Sequence, residues 1–512
     1  MPVKYPRQTV RLPYPRSRSG CLVCRRLHKK CDERRPECTR CVLKGKLCQW
    51  PGASGQREPD PGDAPPTPPT PDLISHPSSH NPRRENASSP VPIFRHGGGR
   101  SGPRDEVPRL ITLPSCPSMG SVSSMFLAYF VAETSRFMTT VGPEKNPFLT
   151  HLLPLAFSDE LILYSLLALG GAHLERRQSS PEIKTWVCRH YGQVICLLQG
   201  AISRKSNEPL DWLRALLAQI ILYLVGVFGS AQDEGAMMHI RAGRKVARRL
   251  LSASSKTSDL RVLCGFTFEL YTYLALIASP TPYNNGTESE LDTRSSLLLS
   301  WDILKNYATF GLIVSPIYQS LDIIPRVISL CIRRQAEIMF DEHSSESWAE
   351  FVELMTLIET VGSSGSGSAD DPHPATSPEE HEQSLTIAAI YRHALAIFAY
   401  DAMWCGTIVG DESRLAAVRE HALSALMLMP TLMDTPLRNV LLWPTIVIGS
   451  CLVNEAEWDV IRNISSIREP ISVVIKMKSM LEDLWSANDP ALFGPYGLHK
   501  HMVSHQTTIY LA

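Results

Sequence analysis

The sequence predicts a small module built on two zinc ions and six cysteines, and a large all-α domain, joined by a disordered Pro-rich linker. Three observations carry this. Six of the thirteen cysteines fall before residue 50. Fourteen prolines follow between Pro51 and Pro108. From Ser121 onward apolar residues recur at three- and four-residue spacing, and period-two alternation is nearly absent. A chain of 512 residues also exceeds what one compact core accommodates.

Residues 1–17 form a polar, basic arm broken by Pro6, Pro13 and Pro15, and are read as disordered. No apolar h-region is present there, which argues against a secretory signal. The arm is Arg-rich, but its prolines would break the amphipathic helix that a mitochondrial presequence needs. The formal net charge of the chain is zero, yet residues 1–50 hold fourteen Lys/Arg against Asp32, Glu33 and Glu37, a local excess of +11. A basic block at one end of a neutral chain points to a nucleic-acid contact there.

The module spans residues 18–50, with the spacing Cys21-x2-Cys24-x6-Cys31-x6-Cys38-x2-Cys41-x6-Cys48. Shifting the first three cysteines by seventeen residues places them on the last three, so C-x2-C-x6-C is written twice. A four-cysteine ribbon on Cys21, Cys24, Cys38 and Cys41 would leave Cys31 and Cys48 idle. A RING domain would want longer gaps and a ligating histidine. Zinc takes four ligands in closed structural sites, so two zincs need eight metal–sulfur bonds, which six thiolates supply only if two of them bridge. One closed zinc with two spare thiols stays open but leaves the repeat unexplained. Three disulfides are disfavoured without a secretory signal. The seven later cysteines are scattered among apolar segments and read as reduced, mostly buried thiols.

Arg25, Arg26, His28, Lys29 and Lys30 lie between Cys24 and Cys31, whereas the matching interval of the second half holds Lys44 and Lys46. The first half is therefore the better candidate for base edges and phosphates. From Arg18-Ser19-Gly20-Cys21 to Gln49-Trp50 the module resembles the fungal Zn2Cys6 binuclear-cluster transcription factors, and Pro36 matches their loop between halves. The resemblance implies that Cys21 and Cys38 bridge the two Zn2+. It also implies a short helix in each half, the first entering the major groove of double-stranded DNA. In that family a lysine reads guanines of CGG-like half-sites; His28 stands at its position here, and Leu27 where another basic residue is common. Arg18, Arg25, Arg26, His28, Lys29, Lys30, Lys44 and Lys46 are the candidate DNA contacts.

Residues 51–120, with Pro65-Pro66-Thr67-Pro68-Pro69-Thr70-Pro71 among them, bury too little apolar surface to fold and are read as the linker. Many members of the cluster family follow the module with a heptad coiled coil; no heptad run stands here, so a homodimer would have to form through the helical domain. That domain is assigned to 121–512. Helical stretches are expected near 121–138, 161–174, 182–204, 210–228, 234–252, 259–278, 316–341, 346–361, 384–406, 412–430, 437–461 and 468–486. Gly-Ser repeats and Asp370-Asp371-Pro372 mark a flexible loop near 362–383. Asn146-Pro147-Phe148, Leu153-Pro154, Leu163–Leu174, Leu216–Phe228 and Met238–Gly243 resemble the fungal-specific transcription factor regulatory domain. That resemblance implies an all-helical domain that regulates activity, in some members through a small ligand.

Other signals are read more plainly. The sequence shows no G-x-x-x-x-G-K-[ST], H-E-x-x-H or G-x-S-x-G, and no enzyme is expected. Gly97–Gly102 fits G-x-G-x-x-G but lies in the linker with no strand before it. Ala215–Phe228 is short of a bilayer span and reads as a buried core helix, so no membrane partner is expected. Arg241, Arg244, Lys245, Arg248 and Arg249 fall on one helical face, read as solvated, with phosphate or DNA contact as the alternative. His239 and His393 are read as structural. Ser377-Pro378 and three Ser/Thr-Pro pairs in the linker are phosphorylation candidates within flexible segments. The expectation is a nuclear, zinc-dependent regulator of RNA polymerase II genes, working with the transcription machinery on DNA. The alternatives are a non-catalytic chromatin-recruited adaptor, or a small-molecule-binding helical protein with a structural zinc module.

Overall fold

The computed structural model describes Cys21–Arg26, Cys31, Glu33, Cys38, Cys41 and Cys48, and then Met119–Leu511 except 205–207, 230–234, 255–259, 284–298, 341–344, 362–376, 408–409, 468–470 and 488. The expected arm and most of the expected linker and Gly-Ser loop lie outside the described residues. The chain divides into two compact units, Met1–Arg109 and Leu110–Ala512. In the first, α1 (Leu22–Arg26) is a single turn that buries Cys24 and ends on Arg25 and Arg26. Cys41 is also helical, and residues 42–47 lie outside the described residues.

The described part of the second unit is built from helices. In its N-terminal half these are α2 (Ser121–Ala132), α3 (Glu160–Arg177), α4 (Pro181–Ser203), α5 (Pro209–Phe228), α6 (Ala236–Ser254) and α7 (Arg261–Ile277). The C-terminal half contains α8 (Tyr318–Phe340), α9 (Ser345–Thr360), α10 (Pro378–Trp404), α11 (Glu412–Leu428), α12 (Leu442–Gly449), α13 (Glu455–Ile467), α14 (Ser472–Ala487) and α15 (Gly494–Ser504). Short turns fill several connections.

Local chemistry sets many of the boundaries. The Asp159 carboxylate accepts the Ile162 amide and caps α3, while Glu160 opens it and Arg176 and Arg177 close it, as the helix dipole favours. Ser180 with Pro181, and Ser377 with Pro378, pair a hydroxyl cap with a first-turn proline at α4 and α10. The Ser377 hydroxyl accepts the Glu380 amide at 3.1 Å, so helix begins inside the segment 362–383 that composition marked as a loop. The expected stretch 437–461 is interrupted. Asn454 accepts the Glu457 amide at 3.1 Å and starts α13, leaving Ser450–Val453 as a link after α12.

A large hydrophobic core runs through this unit from Phe126 to Leu511, and a smaller one joins Leu161, Val194, Leu198 and Leu222. α3 packs on α2, α4 and α5, and α5 is 20 residues long and buried along most of its length. It is apolar and long enough to span a bilayer by those criteria alone, but its partners are other helices. At Gly170 an added Cβ would stand 2.4 Å from the Phe126 carbonyl oxygen, so only glycine admits α2 at this distance from α3. α10 is the hub of the second half, packed by α8, α9, α11, α12 and α15. Its Phe398 meets Trp443 edge-on at 5.3 Å, and its Tyr391 hydroxyl donates to the Val440 carbonyl at 2.7 Å.

A buried carboxylate ties the two halves together. Glu269 on α7 is fully buried and accepts the amides of Ile313, Val314 and Gly311 at 2.9, 3.0 and 3.1 Å, fixing the loop ahead of α8. Burial pushes its carboxyl up to about 8 against the opposing pull of those amides. The histidines read as structural are indeed engaged: Tyr191 Oη stands 3.0 Å from His239 Nε2, and His393 and His421 bring their Nδ1 atoms to 3.0 Å. Of the scattered cysteines that are described, Cys264, Cys331 and Cys451 are buried, Cys405 is half-buried, and Cys188 and Cys196 are exposed; none of them is in a disulfide.

Candidate metal centre and nucleic-acid interface

The offset of seventeen residues seen in the sequence reappears as geometry. The Cys24 amide donates to Cys21 Sγ at 3.4 Å, and the Cys41 amide donates to Cys38 Sγ at 3.4 Å. The Cys21 amide donates to Cys31 Sγ at 3.4 Å, and the Cys38 amide donates to Cys48 Sγ at 3.3 Å. Each half thus folds its own C-x2-C-x6-C around its first cysteine, whose sulfur accepts one amide and whose amide donates to the third sulfur, and the halves repeat each other in these bonds. The C-x2-C step requires this, because one helical turn from Cys21 returns the Cys24 amide to the sulfur of Cys21.

Two tetrads of sulfur follow. Cys21, Cys24, Cys31 and Cys38 bring their Sγ atoms within 4.8 Å of one another, and so do Cys21, Cys38, Cys41 and Cys48. Cys21 and Cys38 belong to both. Cys21 Sγ lies 3.7 Å from Cys38 Sγ and 3.6 Å from Cys41 Sγ, and Cys24 Sγ lies 3.7 Å from Cys38 Sγ. These separations far exceed a disulfide bond of about 2.05 Å. Two thiolates on one zinc, each at about 2.3 Å on a tetrahedron, stand roughly 3.8 Å apart. The donor set therefore fits zinc in both chemistry and spacing.

Electrostatics agree with a cation among the sulfurs. Cys21, Cys24, Cys31, Cys38 and Cys41 are all buried. Burial pushes the Cys24 thiol up to about 12 and raises that of Cys41 as well, while the amides of Cys24 and Cys41 help to hold the Cys21 and Cys38 thiols below their ordinary value against burial. It is therefore the thiolates of Cys24 and Cys41 that need a positive charge at hand. A divalent ion supplies it and holds coordinating thiols deprotonated.

Of the candidate DNA contacts, Arg25 and Arg26 are described: both are exposed at the end of α1, on the turn whose inner side carries Cys24. The Arg25 amide donates to the Cys21 carbonyl at 3.0 Å, so the metal ligands and the basic side chains share one turn. Arg18, His28, Lys29, Lys30, Lys44 and Lys46 lie outside the described residues, as does Leu27.

The helical unit contains a cleft of about 340 Å³ lined by Trp458, Trp485 and Phe493 among others. Trp458 and Trp485 stack at 5.4 Å, and the two ionisable lining residues are Arg419 and Asp489. Arg419 is committed to a bidentate pair with Glu457, and the Asp489 carboxylate caps a short turn through the Ala491 amide at 2.9 Å. None of this was readable in advance, because the cleft joins residues from α11 to the segment ahead of α15 that have no common motif.

Comparison with known proteins places both units. Residues 125–506 match the family described as fungal specific transcription factor domain, and residues 19–57 match the fungal Zn(2)-Cys(6) binuclear cluster domain. An uncharacterized transcriptional regulatory protein of Schizosaccharomyces pombe is 30% identical over 188 residues, covering 30% of this chain and 35% of that one. Transcription factor lfc1 of Flammulina velutipes is 48% identical over 50 residues, 10% of this chain and 18% of its own. Zinc cluster transcription factor CZF1 of Candida albicans is 44% identical over 48 residues, 9% and 12% of the two chains. The chain thus spans about a third of the first relative and less than a fifth of the other two. No solved structure matches it.

Proposed function

The chain belongs to the fungal specific transcription factor family, and from that premise we propose that it is a zinc-dependent, sequence-specific DNA-binding regulator of RNA polymerase II genes. The observation that carries the reading is the pair of sulfur tetrads sharing Cys21 and Cys38. Cys24 and Cys31 would complete one zinc site and Cys41 and Cys48 the other, and Cys21 and Cys38, common to both tetrads, would be the thiolates shared between them. Zinc supplies the cross-link and the charge neutralisation that let this short segment fold.

The protein's own residues then meet DNA. Six thiolates and two zincs carry −2, so the loaded segment 1–50 keeps an excess of about +9. Arg25 and Arg26 on the outer side of α1, with Arg18, Lys44 and Lys46, engage phosphates, while His28, Lys29 and Lys30 reach base edges in the major groove. His28 in place of the guanine-reading lysine, with Leu27 where another basic residue is common, changes the base preference from the CGG-like pattern without changing the mode of docking. The helical unit acts as the regulatory part, contacts the transcription machinery and forms the homodimer. The protein works in the nucleus on genes of a metabolic or biosynthetic pathway.

Selection of bound oligonucleotides by the zinc-loaded full chain tests the reading. The expected result is an enriched short motif whose binding weakens steeply with salt. A pool with no enriched motif overturns sequence-specific recognition, and a metal content near one zinc per chain overturns the bridged cluster.

A further inference from the structure

The cleft of about 340 Å³ in the helical unit lies at the lower end of the range for small-molecule sites, roughly 300–1,000 Å³. Its walls come from α11, the link Ser450–Val453, α13, the end of α14 and the segment ahead of α15. Of its leucine, valine, tryptophan and phenylalanine side chains Val453 alone is exposed, at 54%. The others are buried or half-buried, so the cleft is a recess and not a flat apolar face.

The hydrogen-bond donors around it are already engaged. The Trp485 indole N–H donates to the Gly449 carbonyl at 3.0 Å, and the Ser450 hydroxyl donates to the Val447 carbonyl at 2.7 Å. Arg419 donates to the Cys451 carbonyl at 2.9 Å, and its charge is matched by Glu457. The amides of Leu452, Val453, Leu492 and Phe493 donate to Gly449, Glu457, Asp489 and Pro490. The Trp458 N–H meets no acceptor, but it is itself buried. Asp489 is the exception among the lining side chains. It is exposed, one carboxylate oxygen takes the Ala491 amide at 2.9 Å, and no described cation pairs with it.

The surroundings carry the same sign. Arg462 lies over the rings of Trp485 and Trp458 at 5.7 and 5.9 Å. It faces three carboxylates, Glu482 at 2.7 Å and Glu455 and Asp459 at 2.9 Å. Even with Lys478 beside Glu482, acids outnumber bases there. An anionic ligand would meet no unmatched cation in this cleft, and a neutral acceptor would meet no free donor. A positively charged donor would meet Asp489.

We infer that the cleft binds a small organic amine, with its apolar body on Trp458, Trp485 and Phe493 and its ammonium at Asp489. Aromatic walls favour such a body, and an ammonium–carboxylate hydrogen bond is of the stronger, charge-assisted kind. Occupancy of the cleft rests on the regulatory reading of the helical unit for its use, and on neither zinc nor DNA for its chemistry.

Calorimetric titration of the full zinc-loaded chain tests this with three probes that share an indole ring: cationic tryptamine, neutral N-acetyltryptamine and anionic indole-3-propionate. Tryptamine should bind saturably at one per chain and raise the thermal midpoint of the helical unit. The neutral and anionic probes should bind roughly 10-fold more weakly or worse. Asp489→Asn keeps a good capping residue for its short turn and removes the charge. It should weaken tryptamine by a similar factor and leave N-acetyltryptamine unchanged. Val453→Trp, at the exposed lining position, should fill the cleft and block tryptamine. Tryptamine binding that survives both substitutions lies elsewhere and overturns the site. Equal affinity for the three probes overturns the amine class, and no saturable binding of tryptamine overturns the whole proposal. Binding of a capped lysine peptide, blocked by Val453→Trp, without binding of tryptamine reassigns the cleft to a protein partner and likewise overturns it. If Val453→Trp fails to fold by circular dichroism, Asp489→Asn with N-acetyltryptamine as its control decides alone. Oligonucleotide selection on the same chain keeps two failures apart. Tryptamine binding by a chain that selects no sequence overturns the DNA reading and leaves the amine site standing.

Discussion

Among the described residues of the cysteine unit, the buried side chains are Cys21, Cys24, Cys31, Cys38 and Cys41, with Val23 and Cys48 half-buried against them. In the helical unit the buried set runs from Phe126 to Leu511 and includes Trp443, Tyr223, Tyr271 and Phe398. The same event, removal of side chains from water, has a different basis in each. Thiols gain little from burial alone, and burial raises their deprotonation cost, so the first unit folds when metal turns them into ligands. Apolar helices gain in proportion to area, and the second unit folds on that. One chain therefore carries two stabilities that depend on different variables.

The largest effect should come from metal removal. A chelator that strips zinc should abolish DNA binding and unfold the cysteine unit, since structural zinc contributes about 10–16 kcal/mol in small domains. The thermal transition of the helical unit should stay within about 2 °C of its original midpoint. Cys38→Ser should release both metals, whereas Cys24→Ser should release fewer, because Cys38 belongs to both tetrads and Cys24 to one. Metal analysis beside calorimetry checks both statements. A joint fall of the helical transition would show that the two stabilities are coupled.

The converse experiment acts on the core. Phe398 is almost wholly buried on α10 and packs edge-on against Trp443 at 5.3 Å. Phe398→Ala should destabilise the helical unit by about 3–5 kcal/mol through lost transfer energy and the cavity left behind. Zinc content should stay at the wild-type value.

How much of this was legible in the sequence follows the same division. The cysteine repeat is written in local spacing, and the amide-to-sulfur bonds of Cys24 and Cys41 follow from one helical turn each. Long helices such as α5 and α10 were legible because apolar spacing is also local. The break at Ser450–Val453 was not, because it depends on one asparagine cap inside an apolar run. The Glu269 clasp joins positions 42 to 45 residues apart, a distance at which no periodicity speaks. Gly170 and Gly171 read locally as helix-weakening residues, yet Gly170 is where α2 comes closest.

A smaller effect on the helical unit should appear with pH. Burial pushes the Glu269 carboxyl up to about 8 and that of Asp401 up to about 7, both above the values they take in the unfolded chain. Between those values the folded state binds more protons than the unfolded state, so stability falls as pH rises through 7 to 8. Urea unfolding should therefore give a higher midpoint at pH 6.5 than at pH 9. Glu269→Gln should flatten that dependence, and an unchanged slope in the variant would assign the titration elsewhere.

The smallest effect belongs to surface charge. Arg326 and Glu353 pair at 2.9 Å between α8 and α9, with side chains 37% and 69% exposed. Solvent screening and lost side-chain freedom leave such a pair with less than about 1 kcal/mol. Glu353→Gln should shift the unfolding midpoint of the helical unit only slightly, and less still in high salt. Arg419 and Glu457, at 19% and 10% exposure and joined by two hydrogen bonds, lie at the other extreme. Glu457→Gln leaves a partly buried guanidinium without its counter-charge and should cost about 3 kcal/mol or more. If the two substitutions were equally mild, charge pairing would contribute little to this unit at any depth. Its stability would then depend on apolar burial alone, furthest of all from the metal-held cysteines.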